Sequence, residues 1–228
     1  MPSHTSLQNI RVWDLPTRLF HALLIVCVAG LVITGEIGDD VMRLHFLFGY
    51  GVLTLILFRL VWGFVGGHWS RFVNFVPTPT QLRAYVQALR TRSAPPSVGH
   101  NPLGALSVLA MLAMLAIQVF SGFISDDEIA ATGPWTSLVP NAWIELATEY
   151  HSEIGKSILI VLVILHVASV LYYKRFKNDD LLTPMIKGDK QEPASTPASR
   201  DTFTSRVFAL SILLVCAYAV YQLVNLAA

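Results

Sequence analysis

Charged side chains are scarce in this chain. They make up 14% of its 228 residues, whereas soluble domains carry about 25%, and hydrophobic residues make up 54%. This composition excludes an ordinary soluble domain and indicates a membrane protein. A net charge of only +1 gives no sign of a nucleic-acid-binding surface. The N-terminus lacks a short apolar run followed by small residues, so a removable signal peptide is not predicted.

Cysteine is rarer still. The two cysteines, Cys27 and Cys216, both lie within apolar stretches, where a free thiol usually packs as a small apolar side chain. A disulfide framework is therefore not expected, and the sequence has no Cys-x-x-Cys-His motif for covalent haem attachment.

Long apolar runs, in contrast, are frequent. A membrane-spanning helix needs about 20 mostly apolar residues, and five stretches meet this requirement. The second stretch carries Arg59 and the fourth carries Lys156, and these two charges require an explanation. We therefore predict an all-α membrane protein with five spans. The spans are Leu19–Ile37, Leu44–Val65, Leu103–Ile124, Ile154–Tyr173 and Arg206–Leu226.

Lysine and arginine mark one side of the threaded chain. If the N-terminus is cytoplasmic, fourteen of the 16 Lys and Arg residues lie on the inner side, and only Arg43 and Lys156 lie outside. Because cytoplasmic loops carry the excess of positive charge, we predict a cytoplasmic N-terminus and a C-terminus on the outer side. The outer loops are acidic, which fits either plain solvation or a docking face for a basic redox protein.

The inner connections carry three local predictions. Thr80–Arg90 is predicted to form a short helix on the membrane surface, with an apolar face towards lipid. Asn101 is predicted to cap the third span, with Pro102 in its first turn. Lys187–Asp201 is rich in Lys, Asp, Ser, Ala and Pro and is predicted to be a flexible linker. The apolar face consists of Leu82, Tyr85, Val86 and Leu89.

Four histidines lie inside or at the ends of apolar segments, where an ionisable side chain is costly unless it has a function. His45 begins the second span and His151 precedes the fourth, so both lie near the outer surface. His21 begins the first span, and His166 lies fifteen residues beyond His151. On a regular helix that separation is about 22 Å, and the two side chains differ by only about 60° in direction. The histidines are thus predicted to form an outer pair, His45–His151, and an inner pair, His21–His166.

Paired imidazoles suit the two axial positions of a haem iron. Two histidines from facing helices would hold the ring between them, as cofactors are held in helix bundles. Gly49 and Gly155 each lie one turn from a predicted ligand, and Gly35 lies on the face of His21, so these glycines are expected to leave room for a flat ring. The alternative for any single histidine is a hydrogen-bonded core residue.

The charges inside the spans have a role in this interpretation. Haem carries two carboxylates, which need cations when they are buried. Arg59 lies nearly in line with His45 and about 21 Å deeper, at the level of the inner haem. Lys156 and Arg43 lie near the outer one. Alternatively, Arg59 extends along the apolar surface to reach water at the inner face.

Several motifs, together with His151 and His166, resemble one family. The chain resembles the prokaryotic b-type di-haem cytochromes, a group that includes b-561-type cytochromes and the membrane cytochrome subunits of nickel–iron hydrogenases. The resemblance covers roughly residues 11–190. The motifs lie at Val12–His21 (Val-Trp-Asp-x-Pro-Thr-Arg-x-Phe-His), His45–Tyr50, Arg59–Gly66, Gly99–Gly104 and Leu181–Lys190.

The resemblance implies a four-helix transmembrane bundle in residues 1–190 that binds two bis-histidine haems b, with ligands from the first, second and fourth helices. It also implies exchange of electrons with quinone near the inner haem, where His100 and Asn101 occupy the place of the family's quinone pocket. Residues 191–205 are then a linker. The fifth helix, residues 206–228, lies outside the common core and is available to hold a partner or to form a homodimer.

These observations together predict a cytochrome b of the bacterial inner membrane. It would carry electrons between the quinone pool and a redox partner on the outer face, which is either a cytochrome c or a dehydrogenase or hydrogenase subunit. Two other functions stay open, a proton or metal transporter lined by the histidines and a membrane anchor without haem. Transporters often have internal repeats, which this sequence lacks. The sequence does not separate a quinone-linked oxidoreductase from its membrane subunit.

Overall fold

The computed structural model describes residues 6–38, 41–129 and 131–227. Within these residues, five helical stretches are long and apolar enough to cross a membrane. The predicted class, a helical membrane protein with five spans, is therefore confirmed. The helices are α1 (Leu15–Ile37), α2 (Met42–Val65), α3 (Phe72–Phe75), α4 (Pro79–Arg90), α5 (Pro102–Phe123), α6 (Asn141–Glu149), α7 (Lys156–Phe176), α8 (Leu182–Lys187) and α9 (Phe203–Val224), and the strands are β1 (Leu7–Arg11) and β2 (Asp189–Pro193).

Packing divides the chain into two compact units, and each of the five spans contributes residues to both. Of the 16 Lys and Arg residues, all but Arg43, Arg59 and Lys156, and hence thirteen, fall in unit 1. Unit 1 consists of Met1–Leu19, Leu60–Leu109 and Leu165–Ala209, and unit 2 of Phe20–Arg59, Ala110–Ile164 and Leu210–Ala228.

A single buried carboxylate fixes the start of α1. Asp14 is fully buried, and its Oδ1 accepts a hydrogen bond from the backbone N–H of Thr17 at 2.8 Å, which caps the first turn. Its Oδ2 accepts from the Gly67 N–H and the Ser70 hydroxyl, each at 3.0 Å. The Trp62 indole N–H donates to Oδ1 at 3.2 Å. This cap explains why α1 begins at Leu15, before the approximate start of the predicted first span.

A pair of short antiparallel strands, which the sequence analysis did not predict, joins the N-terminal segment to the segment after α8. Strand β1 pairs with β2 in a register that places Leu7 opposite Pro193 and Arg11 opposite Asp189. The tight turn before β2 uses Gly188, whose φ is +96°. A Cβ at this position would lie 2.9 Å from the Trp13 carbonyl oxygen, so a side chain is excluded by both conformation and space.

The segment predicted as a flexible linker makes defined contacts instead. It begins with strand β2, and Ser199 within it is buried. The Ser199 hydroxyl donates to the Val12 carbonyl at 2.6 Å, and its N–H donates to the Arg11 carbonyl at 2.7 Å. Trp69 Nε1 donates to the Pro197 carbonyl at 2.8 Å. Composition alone suggested flexibility because it does not reveal partners more than a hundred residues away. The division of the chain at residues 190 and 205 stays a prediction.

Asp201, at the end of this segment, interacts with the start of α1 and with α9. Its side chain, 5% exposed, lies 2.9 Å from Arg206 Nε and 3.5 Å from Arg11 Nη1. Burial by itself raises the pKa of Asp201. The hydrogen bonds from Arg206 and from the Leu15 backbone, with the charges of Arg206 and Arg11, outweigh it and lower the pKa.

Asp201→Asn is therefore expected to reduce the free energy of unfolding by about 1–2 kcal/mol at neutral pH. A carboxyl whose folded pKa is below its unfolded value of about 3.9 stabilises the protein fully above pH 4, and this contribution disappears as the pH falls through the folded pKa. Thermal unfolding of both proteins in detergent checks this, and the difference should shrink on acidification below about pH 4. Exposed Glu149→Gln should behave like the unmodified protein.

Helix α4 begins as the sequence predicts but packs differently. Thr78 and Gln81 form a capping box with Pro79 in the first turn. Tyr85, however, is buried, and its hydroxyl lies 2.8 Å from that of Tyr173 on α7. Burial and this hydrogen bond raise the pKa of Tyr85, so the phenol stays protonated. The predicted lipid-facing helix thus turns Tyr85 towards protein.

The core of unit 2 includes the fifth span. Val220 of α9 is 2% exposed and packs among buried side chains of α2 and α5. Trp135 Nε1 donates to the Leu223 carbonyl at 2.8 Å. Although α9 lies outside the motifs of the sequence analysis, it therefore contributes to the interior. The other members of this core are Val52, Leu53, Ile56, Leu115, Val119 and Phe123.

Candidate functional site

Two of the four predicted ligands, His45 and His151, lie side by side in unit 2. Their ring centres are 6.1 Å apart, and the ring planes make an angle of 79°. Both side chains are half-buried. Two imidazoles on opposite sides of one metal ion, each with an N–metal bond of about 2.0–2.1 Å, have ring centres roughly 6 Å apart. The spacing of this pair therefore fits two axial ligands of one iron.

The surroundings of His45 fix its tautomer. Its Nδ1 lies 3.1 Å from the Thr34 hydroxyl oxygen. That hydroxyl donates its proton to the Gly30 carbonyl at 2.6 Å, so it accepts from the imidazole. The proton of His45 consequently resides on Nδ1, and the lone pair of Nε2 is available to a metal.

His151 is held in the same way by α5. Its Nδ1 donates to the backbone carbonyl of Gln118 at 2.9 Å, because a carbonyl oxygen can only accept a hydrogen bond. The Ser121 hydroxyl lies 3.1 Å from the same nitrogen and itself donates to the Gln118 carbonyl at 2.9 Å. Both histidines of the pair thus present an unprotonated Nε2, which is the form in which imidazole binds a metal.

A π-helical turn, Tyr150–Gly155, carries His151. The sequence analysis placed His151 before the fourth span, but the stretch Asn141–Phe176 is continuous and contains it. The Gln118 side chain donates to the His151 carbonyl at 2.7 Å, a contact of the kind that accompanies local departures from regular helix. The regular 100° step between residues, assumed in relating His151 to His166, does not hold over this turn.

Glycines bring the helix backbones close to both rings. A Cβ at Gly122 on α5 would lie 2.7 Å from His151 Cε1, whereas one at Gly35 on α1 would lie 3.4 Å from His45 Cε1. At Gly49 the nearest atom is a Leu31 methyl at 4.0 Å, so there is space beside it. Gly155 differs from the expectation because the Gln118 side chain occupies the place of its missing Cβ.

Comparison with known protein families identifies the family of this chain. Residues 12–188 match the family described as prokaryotic cytochrome b561. The chain belongs to this family. It is thus a multi-pass bacterial membrane protein, a b-type cytochrome that transfers electrons, and haem b is its cofactor.

Curated relatives have one description in common. The chain is 24% identical to the "Probable Ni/Fe-hydrogenase B-type cytochrome subunit" of Bradyrhizobium diazoefficiens, over 80% of this chain and 86% of that protein. It is 26% identical to the protein of that name from Cupriavidus necator, over 82% and 88%. A "Probable Ni/Fe-hydrogenase 1 B-type cytochrome subunit" of Escherichia coli K12 is 24% identical over 78% and 88%. No solved structure matches the chain.

The residues around His45 and His151 fit the cofactor of a b-type cytochrome. Haem iron accepts two nitrogen ligands from the protein, and this pair supplies two imidazoles with free Nε2 lone pairs and a space beside Gly49. A site for a bare metal ion needs more ligands, and no group of three or more His, Cys, Asp or Glu suited to a metal is found in residues 6–38, 41–129 and 131–227.

The other two predicted ligands belong to different units. His21 lies on α1 in unit 2, and His166 lies on α7 in unit 1, each half-buried. The Ser169 hydroxyl donates to the His166 carbonyl at 2.8 Å. Their pairing stays a prediction. Arg59 on α2 is only 3% exposed, so its guanidinium does not extend to water.

His100 and Asn101 occupy different surroundings at the start of α5. The His100 ring lies between Trp13 and Phe75, with ring centres 4.8 Å from each. The Asn101 Oδ1 accepts a hydrogen bond from the Gly104 N–H at 2.8 Å, so its predicted capping role is confirmed. Their predicted contact with quinone stays a prediction.

Lys156 has a protein partner that the sequence analysis missed. Its Nζ lies 3.1 Å from Glu36 Oε1, and both side chains are exposed. Arg43 lines an open groove of about 490 Å³ beside Phe46 and Tyr50.

The sequence analysis also missed the groups that hold the ligands. These are the Thr34 and Ser121 hydroxyls, the Gln118 backbone carbonyl beside His151 Nδ1, and the Gln118 side chain, which donates to the His151 backbone carbonyl. Thr34, Gln118 and Ser121 are polar residues inside apolar spans, and a buried polar group in a membrane usually bonds to another polar group. That rule would have directed attention to them. It would not have assigned each to its histidine, because the assignment depends on which helices are neighbours.

Proposed function

We propose that this cytochrome binds two haems b, one between His45 and His151 and one between His21 and His166, and passes electrons between quinone and a redox partner on the outer face. The observation that carries the proposal is the outer pair, whose rings are 6.1 Å apart and whose Nδ1 atoms are both engaged in hydrogen bonds. When bound, haem supplies an iron whose oxidation state changes by one electron.

The protein's part in this function is to hold the rings and limit access of water. Thr34, Gln118 and Ser121 orient the two imidazoles and raise their basicity by accepting from Nδ1–H. Such contacts favour retention of the cofactor and tune its potential. Around the inner pair, the burial of Arg59 supports the proposal that its guanidinium meets a haem carboxylate.

The proposed orientation in the membrane rests on the distribution of Lys and Arg. The proposed partner rests on the names of the curated relatives. Fourteen of the 16 Lys and Arg residues fall on the side predicted to be inner, which supports a cytoplasmic N-terminus and a C-terminus in the periplasm. The relatives are described as Ni/Fe-hydrogenase cytochrome subunits, so a hydrogenase subunit is the first candidate for the outer partner. Quinone would then exchange electrons near His100 and the inner haem.

Visible spectroscopy of the purified protein tests the proposal. We expect a Soret band that shifts on reduction and a haem-to-protein ratio of about two, since each bis-histidine site holds one iron. Reduction by a quinol should be lost in His100→Ala while the haem content is unchanged. A colourless protein would favour the transporter or the haem-free anchor.

A pair of glycine substitutions tests the geometry of the outer site. Gly122→Ala places a methyl group 2.7 Å from His151 Cε1, a distance that requires the ring to move, whereas Gly35→Ala places one 3.4 Å from His45 Cε1, which small adjustments relieve. Displacing a ligand or its hydrogen bonds weakens metal retention by about 10–100-fold. Gly122→Ala is therefore expected to lose the outer haem on mild detergent washing, and Gly35→Ala to retain it. Equal haem content in both variants would contradict this geometry.

A further inference from the structure

A second concave site lies in unit 1, and none of the four histidines is among its lining residues. It is a cavity of about 270 Å³ between the end of α2, the His68–Ser70 turn and the segment before α9. No carboxylate is among its lining residues. The lining residues are Val65, Gly66, His68, Arg71, Ala198 and Arg200.

The surroundings of Arg71 indicate an anionic ligand. Its Nε is buried and has no hydrogen-bond partner among the described residues, and a buried guanidinium N–H without an acceptor is costly. Neither Arg71 nor Arg200 forms an ion pair with any carboxylate in the described part of the chain. Two guanidinium groups beside one cavity match a phosphate, which accepts several hydrogen bonds at once.

The walls of the cavity are held in place before any ligand binds. Trp69 Nε1 donates to the Pro197 carbonyl at 2.8 Å, and its backbone N–H donates to the Ser199 hydroxyl at 3.3 Å. These bonds tie the turn that precedes Arg71 to the segment that carries Arg200. A preformed site loses less entropy when the ligand binds.

Two exposed apolar side chains lie close in sequence to residues that line the cavity. Phe64 is 73% exposed and Val73 is 84% exposed, and both lie close in sequence to lining residues. Side chains of this kind suit acyl chains, while Trp69 is of the type enriched at membrane interfaces. A free inorganic phosphate would make no use of this apolar surface.

We propose that this cavity, formed by Arg71, Arg200, His68 and the end of α2, binds the phosphate of an anionic phospholipid headgroup, with the acyl chains lying over Phe64 and Val73. Basic pockets among transmembrane helices are known to hold such headgroups. None of the four histidines lines this cavity, so the proposal does not rest on the number of haems bound.

Native mass spectrometry of the haem-loaded protein tests the site with three probes, phosphatidylglycerol, phosphatidylcholine and inorganic phosphate. We expect retention of phosphatidylglycerol and not of phosphatidylcholine. Arg71→Gln and Arg200→Gln should each weaken this retention about tenfold, the effect of removing one charge-assisted hydrogen bond. Arg83→Gln and Arg90→Gln, on the exposed side of α4, are matched controls that should bind as the unmodified protein does.

Three outcomes would overturn the proposal. One is equal retention of phosphatidylglycerol by Arg71→Gln and the α4 controls. Another is equal retention of phosphatidylcholine, which would leave the positive charge without a role. The third is binding of inorganic phosphate that is lost in Arg71→Gln, without preference for anionic lipid, which would assign the cavity to a free anion. An unchanged haem spectrum in every variant verifies that the protein is folded.

Discussion

Alanine in place of His45 or of His151 is expected to remove the same haem and to halve the haem content. The two rings are 6.1 Å apart and face one site, so loss of either ligand leaves the iron with one protein nitrogen. Loss of one axial ligand weakens the hold of a site built for two imidazoles, so the haem is expected to dissociate during purification in detergent. His21→Ala and His166→Ala are expected to remove the other haem.

Haem-to-protein ratios and redox titrations check this pairing. Each variant should retain one centre, and the retained centre should have one midpoint potential for His45→Ala and His151→Ala and a different one for His21→Ala and His166→Ala. His68→Ala is the control, because it changes a histidine that is in neither pair. If His45→Ala and His151→Ala retained different centres, the assignment of both pairs would be wrong.

Replacement of Asp14 by alanine is expected to have the largest effect on stability. The fully buried carboxylate accepts hydrogen bonds from two backbone N–H groups, an indole and a hydroxyl. Removing it leaves these donors buried without an acceptor. Each hydrogen bond to a charged group contributes about 1.5–3 kcal/mol, so a loss of at least about 3 kcal/mol is expected.

Thermal unfolding in detergent, followed by size-exclusion chromatography and by the haem absorbance, measures this loss. Asp14→Asn should also be destabilised, because its amide directs N–H groups at other donors. Glu145→Gln changes an exposed carboxylate on α6 and should unfold like the unmodified protein. An Asp14→Asn variant as stable as the Glu145→Gln control would show that the negative charge does not hold the start of α1.

Much of the architecture follows from local sequence. The five spans, the cap at Asn101 and helix α4 were predicted because apolar length and capping residues act over a few neighbours. The boundaries differ where a distant partner intervenes. Helix α1 begins at Leu15 because Asp14 caps it while also binding residues around Trp62 and Gly67, and no local pattern contains that contact.

The candidate site was likewise predicted in part, and the residues that were missed depend on distant contacts. His45 and His151 were predicted as a pair because a histidine in an apolar segment is conspicuous and each occupies the same end of its span. Thr34 and Ser121 were missed because small polar residues are common in membrane helices, and their function depends on a ring from another helix. Gly155 was assigned to the cofactor by its spacing, yet the Gln118 side chain packs against it.

The sequence by itself determined that this chain is a membrane protein with five spans and that a few histidines lie within its apolar segments. Hydropathy and charge are properties of single residues and short windows, so no tertiary contact is needed to read them. Only the tertiary structure decided which nitrogen of each outer imidazole carries the proton, that strand β2 pairs with β1, and that two arginines border one cavity. Each of these depends on atoms from segments far apart in the chain, and their positions are settled by packing as a whole.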